Sequence, residues 1–170
     1  LVNADAMRFD FTHFSALTSE ELAAVENKVN EVILSACAVT SPEMPIEEAK
    51  KMGAMALFGE KYGKTVRMVK MGNFSTELCG GTHCSNTGEI GLFKIISESS
   101  VAAGVRRIEA VTGAGLLDLL NEKDALIADV ARELKCQNPA DIGTKAAALS
   151  AELASARREI DSLNAKLAST

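Results

Sequence analysis

The sequence predicts an α+β fold: an antiparallel sheet packed with helices, followed by a long antiparallel helical hairpin or coiled coil. Three observations carry this. Short runs with strand-like composition recur at 65–71, 91–97 and 105–112. A complete helix-start signature stands at 17–22. From Ala114 onward the chain turns to alanine, leucine and charge, with leucines at heptad spacing. Residues 1–113 are read as one globular unit and 114–170 as the helical appendage.

Taken in order, Arg8 to Phe14 alternates, with Phe9, Phe11 and His13 on one side, and reads as a half-buried strand. Thr18 with Glu21 forms a capping box and Leu17 with Leu22 its hydrophobic staple, opening a helix whose apolar stripe runs through Val25, Val29, Val32 and Ile33 to about Leu34. Ser41 to Pro45 breaks the chain. A second helix is expected from Ile46 to Phe58, closed by Gly59 and Gly63. Thr65–Met71, Gly91–Ser97 and Val105–Thr112 read as three strands, expected to be antiparallel neighbours. Between the first two lies Gly72–Gly88, rich in Gly, Ser, Thr and Asn yet carrying Cys79, His83 and Cys84. In the appendage, Leu149, Leu153, Ala156, Ile160, Leu163 and Leu167 form a heptad seam, and Leu116, Leu120, Ile127, Val130 and Leu134 follow the same rhythm; Gln137–Gly143 separates the arms. The seam is first a structural feature, and self-association through 116–167 is the alternative use.

Composition bounds the function. The 170 residues are 47% hydrophobic and 24% charged, enough for one sizeable core. No run approaches eighteen apolar residues, so a membrane-spanning helix is excluded. The net charge of −5 argues against nucleic-acid binding by bulk electrostatics, and the 11 basic and 14 acidic residues of 1–113 show that no acidic tail hides a basic domain. Four unevenly spaced cysteines fit a reducing, cytoplasmic setting better than a disulfide framework. Leu1 in place of methionine, with no leader after it, is expected of a piece of a longer protein.

The chemically loaded segment is Glu77-Leu78-Cys79-Gly80-Gly81-Thr82-His83. A thiolate and an imidazole four residues apart can reach one ion if the chain between them turns tightly, which two glycines permit. Cysteine with histidine favours zinc over magnesium or calcium. The bland alternative is a buried cysteine and a surface histidine flanking a loop. Cys84 reads as a small packing residue, His13 as a core or rim histidine, and Cys37 and Cys136 as inert. Arg106, Arg107, Lys64, Arg67 and Lys70 read as solvated strand faces, with a phosphate-backbone track as the sharper alternative.

Together, RFDFTHFSALT (8–18), ELCGGTHCSNTGEIGLFKIISESSVAAGVRRIEAVTG (77–113) and the leucine-alanine hairpin resemble the alanyl-tRNA synthetase family over essentially the whole chain. The resemblance implies the C-terminal part of a post-transfer editing domain over 1–113, and over 114–170 a helical segment leading towards a C-terminal domain. Free-standing alanyl-tRNA editing proteins and the threonyl-tRNA synthetase editing domain are similar at the zinc site. In that family an HxxxH pair joins a CxxxH pair around zinc. Cys79 and His83 match the second pair; no HxxxH occurs here, so two of four expected ligands are present. The implied parent ligates alanine to its tRNA with ATP and Mg2+ in an aminoacylation domain outside the chain.

The implied partner of this region is the acceptor end of tRNA(Ala), with mischarged Ser- or Gly-tRNA(Ala) hydrolysed. A pocket for alanine rejects glycine or serine by only roughly 10–200-fold, so a second hydrolytic site is needed. Gly80 and Gly81 would let the ester approach the backbone, and Thr82 could hydrogen-bond it. Catalytic silence is expected of the isolated piece. Two alternatives stand beside this reading: a free-standing trans-editing deacylase, and a non-catalytic RNA-binding or coupling module.

Overall fold

The computed structural model describes residues 1–3, 6–56 and 63–168. They form two compact units, Leu1–Leu117 and Asp118–Thr170. The first is α+β with antiparallel sheets.

One sheet has the order β1-β7-β6, from β1 (Met7–Thr12), β6 (Phe93–Ala102) and β7 (Val105–Thr112). All its pairings are antiparallel, and β6 bulges between Ile95 and Ser97. Helix α1 (Ser19–Leu34) lies against it: Ile33 is buried with Phe93, Ile108 and Ala110, and Leu17, Leu22 and Val29 pack on that cluster. The sequence signature at its start is realised in full. Thr18 Oγ accepts from the Glu21 N–H at 3.2 Å, and the Thr18 N–H donates to Glu21 Oε2 at 2.8 Å. Leu17 and Leu22 pack against the same core.

The other sheet is built around β4 (Thr65–Met71). On one side β2 (Val39–Thr40) and β3 (Glu43–Pro45) pair with its two halves; on the other lies β5 (Ser75–Leu78). Its core joins Ala49, Val66, Met68 and Leu78. Strand alternation sends Val66 and Met68 into that core and leaves Arg67, Val69 and Met71 on the opposite face.

Four expectations are corrected. The three strands read as neighbours divide between two sheets: β6 and β7 pair, but β4 belongs to the other sheet. The break at 41–45 contains β3, where the Pro42 carbonyl accepts from the Met68 N–H at 3.0 Å. The second helix, α2 (Ile46–Lys51), is shorter than the expected 46–58. Gly53, at φ +81°, ends it, and Met55 then runs parallel to β5 by bonding Thr76 and Leu78. The expected end at Phe58 and Gly59 lies outside the described residues. At β1 the alternation is right, but Phe9 remains 49% exposed and His13 lies beyond the strand, exposed at the surface.

Ion pairs cross the first sheet. Arg106 donates through Nε and Nη2 to Glu98, the latter bond 2.6 Å, and Arg107 does the same to Asp10 at 2.6 and 2.7 Å. Those guanidinium bonds hold the carboxyls of Glu98 and Asp10 below their ordinary values of 4.5 and 3.8. Gly91 (φ +72°) sits so close to Gly113 that a Cβ on it would lie 2.8 Å from the Gly113 Cα.

Helix α3 (Gly113–Glu133) and helix α4 (Ile142–Ala168) are joined across a short 3-10 turn at Pro139–Asp141. The Asn138 side chain caps that turn by accepting from the Ala140 N–H. Both helices form where the leucine rhythm placed them. The α4 seam is solvent-exposed, with Leu153, Ile160 and Leu163 all more than half exposed; in the α3 arm, Leu120 and Ile127 are exposed while Leu116 and Leu134 are half-buried.

Candidate functional site

The site grows out of the end of β5. Leu78 is buried and its N–H donates to the Met55 carbonyl, which anchors the strand; Cys79 then bonds its N–H to the Arg67 carbonyl at 3.2 Å, extending the β4 pairing by one residue. There the chain leaves the sheet and turns through Gly80 and Gly81. A Cβ built on Gly81 would lie 3.6 Å from Cys79 Sγ and 3.9 Å from His83 Nε2. The two donors singled out from the sequence therefore flank the same glycine.

His83 also faces a cavity of about 530 Å³. Thr82 and Cys84 line it with His83, together with Val39 of β2, Val69 and Met71 of β4, Glu89 and Thr112. The N-terminal residues Val2, Asn3, Ala6 and Met7 close another side. Its walls are mostly apolar with a few polar groups, the usual make-up of a small-molecule site.

The return from the site is tied down as firmly as the entry. Thr87, 1% exposed, accepts from the Cys37 N–H and donates to the Val32 carbonyl, each at 2.9 Å, while Asn86 donates to the Ala36 carbonyl at 2.7 Å. Orphan groups at the C-terminal end of α1 are thus satisfied by side chains from the loop that follows His83.

The donor set tests the fit for a metal. A thiolate and an imidazole on one tight loop are zinc chemistry, and they supply two of the four positions a zinc ion fills. Among the described residues no group of three His, Cys, Asp or Glu side chains comes together. His13, read as a core or rim histidine, is exposed and pairs with Ser15 at 3.4 Å. Cys84 lines the cavity beside His83, while Cys37 contacts Ser35 Oγ at 3.0 Å and Cys136 sits at the α3–α4 turn. Gly80 and Gly81 form the turn itself, and Thr82 lies on the cavity wall.

Arg67, expected on a solvated strand face or a phosphate-backbone track, is bonded to the loop instead. Its Nη1 donates to the Gly81 carbonyl at 2.9 Å and the Gly80 carbonyl at 3.4 Å, and its Nη2 to Glu43 at 3.2 Å. The alternation of β4 was the available signal: Arg67 shares a face with Val69 and Met71, both cavity residues.

Residues 66–109 match the family described as threonyl and alanyl tRNA synthetase second additional domain. The likeness to alanine–tRNA ligases then extends over the entire chain. It is 54% identical over 170 residues to the alanine–tRNA ligase of Acetivibrio thermocellus, covering 100% of the chain. To those of Neisseria meningitidis serogroup C and Bacillus pumilus it is 53% identical over 167 residues, covering 94% and 98% of the chain. The resemblance read from the CxxxH segment and its surroundings is thereby borne out. The chain spans 19% of the length of each of these relatives.

Proposed function

We propose that this chain is part of an alanine–tRNA ligase and carries one half of the site that hydrolyses tRNA mischarged with serine or glycine. The observation that carries the reading is that Cys79 and His83 both lie against Gly81, with His83 at the same time walling the cavity. Cys79 and His83 would hold zinc with an HxxxH pair supplied from outside the chain. When bound, zinc supplies Lewis-acid polarisation, water activation or anchoring of the substrate's amine and hydroxyl.

The chain's own residues do the rest. Gly80 and Gly81 leave room for the ester and terminal ribose to approach the backbone. Thr82, on the cavity wall, offers a hydroxyl that can donate to the ester or accept from a serine side chain. Val39, Val69 and Met71 give the cavity an apolar wall that limits water at the reacting bond. The acceptor end of tRNA(Ala) is the partner this arrangement takes. ATP and Mg2+ belong to the aminoacylation region of such a ligase. In the Asp118–Thr170 unit the exposed leucine seams await a partner arm, either by closing into a hairpin coiled coil or by self-association.

The test is deacylation of Ser-tRNA(Ala) by the whole gene product carrying this chain. Cys79→Ala should abolish it while alanine activation continues; an unchanged rate sinks the assignment and leaves a non-catalytic RNA-binding or coupling module. The 170-residue chain alone should be silent. Hydrolysis by it alone would make it a free-standing deacylase.

A further inference from the structure

Arg67 grips the Cys79–His83 loop twice. Its carbonyl accepts from the Cys79 N–H at 3.2 Å, at the point where the chain leaves the sheet. Its guanidinium reaches forward to the Gly81 and Gly80 carbonyls at 2.9 and 3.4 Å. Glu43 stands directly across the β3–β4 ladder from Arg67 and takes the other arm of the fork at 3.2 Å.

We propose that Arg67 is the positioning residue of this loop: tethered by Glu43, it fixes the Gly80–Gly81 turn and so holds Cys79 and His83 towards one point. The proposal rests on the zinc-site reading above. Two consecutive glycines have the widest backbone freedom of any pair, so the turn between the donors needs an outside hold. A charged donor bonded to two neutral carbonyls is a strong one. Because each peptide is planar and trans, turning the Gly80 and Gly81 carbonyls towards Arg67 turns the N–H groups of Gly81 and Thr82 the opposite way. Lysine cannot replace this grip, since a single ammonium does not form a planar fork.

Two measurements test the proposal. In the metal-free 170-residue chain, 15N relaxation should give order parameters of about 0.85 for residues 80–83, falling below about 0.6 in Arg67→Met while β4 and β5 keep theirs. Arg67→Lys should fall with it, and Glu43→Gln should loosen the same residues to a smaller extent. In the whole gene product, Arg67→Met should weaken Zn2+ affinity on the order of 10–100-fold, measured against a competing chelator. Order parameters unchanged at 80–83 in Arg67→Met overturn the role of Arg67, whatever the metal does. Full rescue by Arg67→Lys overturns the fork. If Arg67→Met unfolds, Glu43→Gln decides: a loop as ordered as wild type overturns the proposal. If Cys79→Ala leaves Zn2+ affinity unchanged, the zinc reading falls, and the relaxation comparison still decides Arg67 alone.

Discussion

At the scale of single residues, what the sequence declares and what it conceals divide by bonding partner. Cys79 and His83 declare themselves because their side chains carry the chemistry and stand four positions apart. Arg67 and Thr87 do not, because their partners are main-chain groups far away in sequence: Arg67 bonds carbonyls 13 and 14 residues on, Thr87 a carbonyl 55 residues back. A carbonyl exists at every position and leaves no mark on composition. Thr87→Val keeps the shape but strands the Cys37 N–H and the Val32 carbonyl in a site 1% exposed. It should cost about 1–3 kcal/mol in urea denaturation, and a loss under a few tenths would mean that water replaces both bonds. The seat of the loop after His83 would loosen with it.

Among the elements, those with local causes were legible. The capping box placed the start of α1, and β7 and β4 have the bounds that their strand-like runs gave. Pairing was not legible, because period-2 alternation tells which side chains share a face and not which strand lies alongside. Hence β4 was expected beside β6 and β7. Three-residue β3 and four-residue β5 are too short to show alternation, and the end of α2 turned on Gly53 rather than on glycines further along. The entry to β6 and the start of α3 meet through two glycines. Gly91→Ala places a methyl 2.8 Å from the Gly113 Cα at a φ of +72°. The expected loss exceeds about 1 kcal/mol, because strain and a backbone collision act together. A thermal melt indistinguishable from wild type would contradict this.

Over the molecule as a whole, acid should act through the first sheet. Glu98 and Asp10 are held below 4.5 and 3.8 by their bonds to Arg106 and Arg107. For a carboxyl with a depressed folded-state value, the stabilisation is fully present above its ordinary value and is lost as pH falls through the folded one. Stability should therefore decline below about pH 4.5, and Arg106→Met should flatten that decline in pH-dependent urea titrations. An equally steep decline in the variant would place the acid response elsewhere. At this scale the family was legible because the 77–113 segment is long and specific; the partner of the leucine seams was not, because heptad spacing marks an apolar stripe and not what covers it.

The two-faced β4 carries one more consequence. Its hairpin to β5 closes through only Gly72, Asn73 and Phe74, with Met71 opposite Ser75. Inserting or deleting one residue within β4 itself would move the rest of the strand half a pleat, exchanging the row that fills the core for the row that walls the cavity. Evolutionary length changes in this strand should therefore come in twos or be absorbed by a bulge, so that packing and chemistry drift together or not at all.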